Sequence, residues 1–373
     1  KNQNCINQII INTKGKRMKI SSIKQERLFS AKISYTPRNL KLESVTTLLY
    51  GDDIIPNAGD IFLARVTQLG QHHELELAHG RRSALRVGDE IIVCYGNCYV
   101  PDQFEAQVPN HFESCDLVAP SGIAARVNHR YSNTHAPTTI QPIGLLADST
   151  NKRINLKDTA LPKLVSLFPL PYTIGVVGTS MNTGRTTTTA MLIRGLTNAG
   201  YTVGVAKVTG IGSGHDTWLI ADAGSKLTLD FTHAGFPSTY LISPDQIDAI
   251  IETLVTHLCV ANVNAIVIEV ADDLLQHETA SLLNSRIFTK TVDSIVFALG
   301  DAMGAIVNTD LFGHDKLPVV AIETADATEL PILNKTALSS HTVVDVLQIP
   351  LQMTVTQALS ANETYSNNKN FRI

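Results

Sequence analysis

The sequence is poor in cysteine and in aromatic residues. Its 373 residues include 5 Cys and 1 Trp, and Phe, Trp and Tyr together account for 6% of the chain. A sparse and odd set of cysteines argues against a disulfide-stapled secreted domain and is typical of a reducing compartment. We therefore expect a cytoplasmic protein.

Long basic and long apolar segments are missing too. Lys and Arg number 30 against 34 Asp and Glu, the net charge is −4, and no run of Lys or Arg marks a nucleic-acid surface. The longest apolar stretch, 161–178, contains Lys163 and several prolines, whereas a membrane span needs about 20 mostly apolar residues. Residues 1–17, which precede Met18, lack the sustained apolar core of a signal peptide and are interpreted as an extension or a mistranslated leader. We expect neither a nucleic-acid nor a membrane partner.

Four residues have side chains that could ligate a metal ion: Cys94, Cys98, His111 and Cys115. The spacing is not that of a familiar zinc site, and Cys94 ends an apolar run. Free cysteines are often part of a core. Buried thiols are therefore the favoured interpretation, with metal ligation as the alternative.

The first half of the chain has the texture of a β-protein. Residues 1–30 are predicted to form a loose arm, and residues 31–160 a small, mostly-β domain, because short strand-like runs alternate with Gly and Asp turns. Alternation in 73–77 predicts a strand with one wet face. His72-His73 and Arg81-Arg82 are candidates for an anion-binding surface, although solvated loop charge is the favoured interpretation.

The second half changes to alternating β and α patterns. Residues 161–171 are the predicted linker, and residues 168–350 are predicted to form an α/β domain with a parallel sheet. The apolar run 265–270 is the expected central strand. Residues 245–259 are expected to form an amphipathic helix, and residues 351–373 are interpreted as a loose tail.

A glycine-bounded loop joins the first strand of this domain to its first helix. Residues 172–177 are strand-like, residues 178–187 read GTSMNTGRTT, and residues 186–199 are helix-like. Backbone N–H groups of such a loop, together with the helix N-terminus, can surround phosphates. The predicted nucleotide-binding residues are Gly178, Thr179, Asn182, Thr183, Gly184, Arg185, Thr186 and Thr187.

Polar residues at the ends of neighbouring strands predict a metal site beside this loop. Lys207 ends the second strand, Asp216 follows a short loop later, and Glu269 lies near the end of the apolar strand. Ligands of open parallel sheets bind at the carboxyl ends of the strands, and Mg²⁺ prefers oxygen ligands. We therefore predict that Mg²⁺ is held by Thr186, Asp216 and Glu269.

These motifs resemble a branch of the P-loop NTPases that contains dethiobiotin synthetase, the cobyrinic acid amidases and MinD-like ATPases. The resemblance covers about 172–322 and nothing of the first half. It implies a Lys at the end of the second strand that touches substrate and phosphate, which Lys207 matches. It also implies a loop Asp and a strand-end Glu that bind Mg²⁺, matching Asp216 and Glu269.

Two departures limit the resemblance. Arg185 stands where the loop normally has Lys, and Arg is longer and planar, so the two are not equivalent. The segment after Glu269 reads VADDLLQHE and lacks the Gly-rich continuation of the synthetase, which favours a different substrate. His233 and Tyr240 are candidate substrate contacts, with a surface turn as the alternative interpretation.

Three hypotheses follow for the function. The first is an ATP-dependent enzyme, a ligase or NTPase, that activates a carboxylate, with Arg185 and Lys207 as catalytic charge stabilisers and GTP as the alternative nucleotide. The second is a nucleotide-regulated switch or binding protein whose β-domain recognises a partner, with a homodimer left open. The third is a degenerate domain that binds no nucleotide. The sequence does not identify the substrate.

Overall fold

The chain divides into two compact units. The computed structural model describes residues 8–11, 17–165, 169–178, 183–274, 276–299, 319–324 and 343–345. The first unit comprises residues 1–161, 211–215 and 231–241, and the second comprises 162–210, 216–230 and 242–373. The short segments 211–215 and 231–241 were expected in the nucleotide-binding domain but cluster with the first unit. The predicted tail, 351–373, lies outside the described residues.

The first unit consists mainly of β-strands. Its described strands are β1 (Gln8–Ile11), β2 (Arg17–Ser22), β3 (Lys32–Ile33), β4 (Thr47–Tyr50), β5 (Ile61–Gln68), β6 (Glu74–Glu76), β7 (Arg82–Ala84), β8 (Glu90–Tyr95), β9 (Cys98–Tyr99), β10 (Phe104–Gln107), β11 (Cys115–Ala119), β12 (Ile123–Arg130) and β13 (Thr138–Ala147). Strands β6 and β7 pair only with each other among the described strands, and the others form an 11-stranded sheet. Its longest path runs β1-β2-β4-β13-β5-β8-β12-β10-β9, and β8 pairs in parallel with β3 and β12.

Large side chains from neighbouring strands form the core of this unit. Phe62 of β5 and Tyr95 of β8 are fully buried and stack with ring centroids 4.0 Å apart. Cys94, Cys98 and Cys115 are buried among the strands as thiols, without a disulfide bond. Among the described residues, no group of three or more His, Cys, Asp or Glu side chains is arranged to hold a metal ion.

The expectation of a loose arm over 1–30 is corrected for its described part. Strand β2 pairs with β4, and helix α1 (Gln25–Ser30) follows it. Leu28 is fully buried and Ile20 is 4% exposed. Burial of these apolar side chains holds the segment in place through the hydrophobic effect. The polar residues around them had suggested an unstructured arm. Residues 1–7 and 12–16 lie outside the described part.

The expectation of a wet face on β6 is also corrected. Leu75 and Glu76 are adjacent and would point to opposite faces of a strand, yet both are buried. Both polar backbone groups of Glu76 are bonded, since its N–H donates to Pro120 O at 2.8 Å and its carbonyl accepts from Tyr35 N at 2.8 Å. Because the side chains of Leu75 and Glu76 are both buried, both faces are covered at this end of the strand.

The second unit contains the expected parallel sheet. Its strands are β14 (Tyr172–Gly178), β15 (Val203–Lys207), β16 (Leu227–Asp230), β17 (Ala265–Glu269), β18 (Ser294–Leu299), β19 (Val319–Thr324) and β20 (Val343–Asp345). The described strands lie in the order β16-β15-β17-β14-β18-β19-β20, and every pair is parallel. Every residue of β17 is buried, which confirms it as an interior strand.

Helices connect these strands. They are α2 (Arg185–Asn198), α3 (Gly214–Asp222), α4 (Pro244–Val260), α5 (His277–Leu283) and α6 (Arg286–Thr291). Helix α4 confirms the helix predicted at 245–259: Pro244 occupies its first turn, Ser243 and Gln246 form a capping box, and its apolar stripe is buried. No helix in the described ranges is long and apolar enough to cross a membrane.

Candidate functional site

The predicted phosphate loop lies between β14 and α2. Strand β14 ends at Gly178, and α2 begins at Arg185 directly after Gly184, whose φ of 81° lies in the left-handed region that favours glycine. Thr188 N donates to the Gly184 carbonyl at 2.8 Å and closes the first helical turn. Of the predicted loop residues, Thr179 and Asn182 lie outside the described residues. The described ends of the loop have the strand-to-helix arrangement that the sequence predicts.

Gly178 allows the two ends of the loop to approach each other closely. A Cβ atom at this position would lie 2.5 Å from Oγ1 of Thr183 and 2.7 Å from Cδ of Arg185. Such contacts are shorter than van der Waals distance, so any larger residue would displace the Arg185 side chain. Thr187, by contrast, is exposed in the first turn of α2.

Arg185 is buried rather than free at the loop. Its side chain is 6% exposed, and Nη1 donates to the carbonyl oxygen of Asp272 at 2.6 Å. Burial lowers the pKa of the guanidinium, while the negative charges of Asp272, Glu269 and Asp273 act in the opposite direction. The guanidinium is therefore hydrogen-bonded to the segment that follows β17.

Glu269 lies beside the start of α2. Its Oε1 accepts a hydrogen bond of 2.8 Å from the Thr186 hydroxyl, and the residue is fully buried at the end of β17. Its Oε2 has no hydrogen-bond partner among the described residues. Burial raises the pKa of this carboxyl, and the nearby Lys207 cation opposes that shift. An orphaned carboxylate oxygen in this position is suited to a cation.

Lys207 and Asp216 form an ion pair next to Glu269. Sheet register places Lys207 of β15 opposite Glu269 of β17. Lys207 Nζ contacts Asp216 Oδ2, and the two side chains are 6% and 25% exposed. Burial lowers the pKa of Lys207, but the negative charges of Asp216 and Glu269 outweigh it and the net shift is upward. Lys207 is therefore a positively charged side chain held at the carboxyl end of its strand.

The sequence does not predict the roles of two residues in this region, Thr209 and Asp272. Thr209 Oγ1 accepts hydrogen bonds from the backbone N–H groups of Ala271, at 2.9 Å, and Asp272, at 3.3 Å. These bonds hold the segment whose carbonyl receives Arg185. A threonine in a Gly-rich loop and a backbone carbonyl carry no sequence signal for such a role.

His233 and Tyr240 both belong to the first unit. Arg38 Nη2 lies 3.2 Å from Nε2 of His233. The Tyr240 hydroxyl donates to Oε1 of Glu105 at 3.2 Å, and its ring stacks on Tyr99 at 5.5 Å. These contacts fix both side chains within the first unit, and their role as substrate contacts stays a prediction.

Comparison with known proteins gives only remote similarity. No protein-family profile matches the chain, and no curated protein matches it in sequence. Among solved structures, the chain is similar to the signal recognition particle receptor FtsY from Elizabethkingia anophelis in complex with GDP (17% identity, 53% of this chain and 58% of that one, TM-score 0.32). It is also similar to the signal recognition particle 54 kDa protein from Aeropyrum pernix K1 in complex with GDP (15% identity, 57% of this chain and 52% of that one, TM-score 0.35).

A third similar structure is chloroplast FtsY from Physcomitrella patens, at 14% identity and a TM-score of 0.33, covering 50% of this chain. This chain spans 52% to 62% of the length of these three proteins. Likeness of this extent does not assign the chain to a family.

Proposed function

We propose that the second unit is a P-loop domain that binds a Mg²⁺-nucleotide and acts as a nucleotide-regulated switch. The observation that carries the proposal is the position of Glu269. It is a fully buried carboxylate at the end of an interior parallel strand, bonded on one oxygen to Thr186 in the first turn of α2 and without a described partner on the other. Parallel sheets bind ligands at this edge, and the helix N-terminus favours anions.

The donor set at this edge is suited to Mg²⁺. Carboxylate and hydroxyl oxygens of Glu269, Asp216 and Thr186 are the hard ligands that this ion prefers, with phosphate oxygens and water completing its coordination. When bound, Mg²⁺ would supply positive charge that neutralises the phosphates. Lys207 would keep the two carboxylates oriented, because it contacts Asp216 and lies in register with Glu269.

Arg185 favours a switch over a rapid enzyme. A P-loop Lys contacts the phosphates directly, whereas the Arg185 guanidinium is buried and bonded to the Asp272 carbonyl. Only Nη1 is used in this bond, and a guanidinium has further N–H donors, so a phosphate contact by Arg185 would also act on the segment after β17. Phosphate binding and the state of that segment are thereby linked.

The proposal is tested by titrating ATP, GTP and GDP into the full-length protein by calorimetry, with Mg²⁺ and with EDTA. We expect wild-type protein to bind a nucleotide in a Mg²⁺-dependent manner. Glu269→Gln should weaken Mg²⁺-dependent binding roughly tenfold or more, because a neutral amide is a poorer Mg²⁺ ligand than a carboxylate. Glu252→Gln is the matched control, since Glu252 is exposed on α4 of the same unit.

The Arg185→Lys variant tests the contribution of the loop cation to nucleotide binding, independently of Glu269. Arg194→Lys is its control, because Arg194 is exposed on the same helix. A switch predicts nucleotide-dependent self-association or partner binding with slow hydrolysis in wild-type protein. Failure of every nucleotide to bind both wild-type protein and Arg185→Lys would overturn the proposal.

A second candidate function is ATP-dependent activation of a carboxylate. The buried Lys207 favours it, because a fixed cation at the strand end can stabilise a developing negative charge. This function predicts that ATP hydrolysis depends on a carboxylate substrate and an amine. Hydrolysis unaffected by a panel of carboxylates would favour the switch.

A further inference from the structure

The first unit contains a cavity of about 280 Å³ with both apolar and polar lining residues. It lies among the β6–β7 pair, the turn that follows β11 and the segment 211–213, all of which belong to this unit. Its polar lining includes His72, Glu76, Arg82, Gln103, Ser121 and Ser213. None of these residues belongs to the nucleotide site proposed above.

Glu76 is a buried carboxylate without a counter-ion in this cavity. It is 4% exposed, and its Oε2 accepts a hydrogen bond of 2.9 Å from the backbone N–H of Gly214. A Cβ atom at position 214 would lie 2.8 Å from Oε1, so glycine permits this approach. No Lys, Arg or His among the described residues lies within 4.0 Å of the carboxylate. A buried carboxylate in this condition is costly unless a cation joins it.

Arg82 does not neutralise Glu76. The two residues are directly opposite each other on β6 and β7, a position from which side chains usually interact. Arg82 is nevertheless exposed, and no ion pair between it and Glu76 is found among the described residues. The carboxylate is thus left available to a ligand from the cavity.

His72 does not neutralise it either. Its Nε2 lies 3.1 Å from the Val118 carbonyl, which can only accept, so Nε2 carries the proton and Nδ1 is left as an acceptor. Burial lowers the pKa of the imidazole to about 4. At neutral pH the ring is therefore uncharged.

Ser121 is another polar residue of the cavity lining, and its hydroxyl has no hydrogen-bond partner among the described residues. The residue is 2% exposed. Its carbonyl accepts from both N and Oγ1 of Thr36 at 2.9 Å, which fixes the backbone. Buried hydroxyls are normally bonded, so the Oγ of this cavity-lining residue retains the capacity for one more hydrogen bond.

We propose that this cavity binds the protonated amine of a small molecule, with Glu76 as its counter-ion and Ser121 as a further hydrogen-bond partner. An ammonium group has three donors and no acceptor. It therefore complements a carboxylate and a hydroxyl oxygen better than a neutral or anionic group does. The volume of the cavity limits the bound part to a small molecule.

Three probes of similar size and different charge test the proposal: ethanolamine, ethylene glycol and glycolate. Broadening of the probe signals in proton NMR on addition of the full-length protein measures weak binding. Ethanolamine should bind, and the neutral and anionic probes should not. Glu76→Gln should weaken ethanolamine binding roughly tenfold, because a charge-assisted bond is lost. Ser121→Ala should weaken it roughly fivefold.

Glu74→Gln is the matched control, because Glu74 lies on the same strand but does not line the cavity. Its binding should equal that of the wild type. Circular dichroism establishes that each variant is folded, and Ser121→Ala keeps the test decisive if Glu76→Gln does not fold. Equal broadening of all three probes, no broadening by ethanolamine, or undiminished binding to both variants would overturn the proposal.

Discussion

Two buried glutamates, one in each unit, are stabilised in different ways. Glu269 lies at the end of β17 with Thr186 bonded to it and the cations Lys207 and Arg185 nearby. Glu76 lies at the end of β6 with a backbone N–H as its partner and no cation among the described residues in ion-pair distance. A carboxylate removed from water needs compensation. In the second unit, Thr186, Lys207 and Arg185 supply part of this compensation and Oε2 is left for the proposed Mg²⁺, whereas in the first unit no described cation contributes and the rest is left to a ligand.

This difference predicts opposite responses to substitution. Removing a part of the second network leaves other charges buried without partners, so the folded state should lose stability. Removing the charge of Glu76 leaves no other charge unpaired, so the folded state should gain stability while ligand binding is lost. The variants below test this contrast.

The largest effect is expected from Lys207→Met. The substitution keeps the length of the side chain but leaves Asp216 and Glu269 without their shared cation. Breaking a buried ion pair in this way costs about 3 to 5 kcal/mol. Urea unfolding followed by the fluorescence of Trp218, the single tryptophan, which lies in the second unit, measures this loss.

Lys290→Met is its control, because Lys290 is exposed on α6. We expect its stability to lie within about 0.5 kcal/mol of the wild type. Similar values for the two Lys variants would mean that the Lys207 network does not stabilise this unit.

Thr186→Ala should have the second largest effect. It removes the hydroxyl that donates to Oε1 of Glu269 and leaves both oxygens of a buried carboxylate without a described partner. A hydrogen bond to a charged group contributes about 1.5 to 3 kcal/mol. The same urea titration compares it with Thr197→Ala, whose hydroxyl makes only a long contact of 3.5 Å with Gly224 O. Equal stability of the two Thr variants would contradict the role given to Thr186.

The parallel sheet could be predicted because its signals are local. The run 265–270 is apolar throughout, as an interior strand must be, and Gly184 follows a strand and precedes a helix. Lys207 and Glu269 are each followed by loop residues, so both were expected at the same edge. Sheet register then places them side by side.

Contacts between distant segments could not be predicted. The sequence shows Arg185 as a departure from the loop pattern, but its hydrogen-bond partner is a backbone carbonyl 87 residues away. Because every residue has a backbone carbonyl, the sequence does not indicate which one Arg185 contacts. The alternation in 73–77 places Glu76 on the wet face of a strand, yet Glu76 is buried. Its burial depends on segment 211–215, which belongs to the same compact unit although it is more than 130 positions later. Alternation along one strand does not reveal what covers its second face.

Acid should destabilise the first unit through His72. Its pKa is about 4 in the folded protein against 6.5 when exposed, chiefly because it is buried, with a smaller contribution from His73. Between pH 6.5 and 4 the unfolded chain binds a proton that the folded protein does not, so stability falls as the pH falls through this window. This residue should lower the free energy of unfolding by about 2 kcal/mol between pH 8 and pH 5. Urea unfolding at both pH values should show a smaller loss for His72→Gln, while His79→Gln, an exposed control, should match the wild type.

The smallest effect, and the one of opposite sign, is expected from Glu76→Gln without ligand. The amide oxygen can still accept the hydrogen bond from Gly214, and the cost of burying an uncompensated charge disappears. We expect the free energy of unfolding to rise by about 1 kcal/mol, since an uncharged group of the same shape is less costly to bury. Glu74→Gln, half-buried on the same strand, should leave it unchanged. Loss of stability in Glu76→Gln would show that the carboxylate is a structural element of the β6 segment. A gain together with lost ethanolamine binding would show that the first unit retains a destabilising charge for the sake of its ligand, whereas the charge of Glu269 in the second unit is partly offset by Lys207 and Arg185.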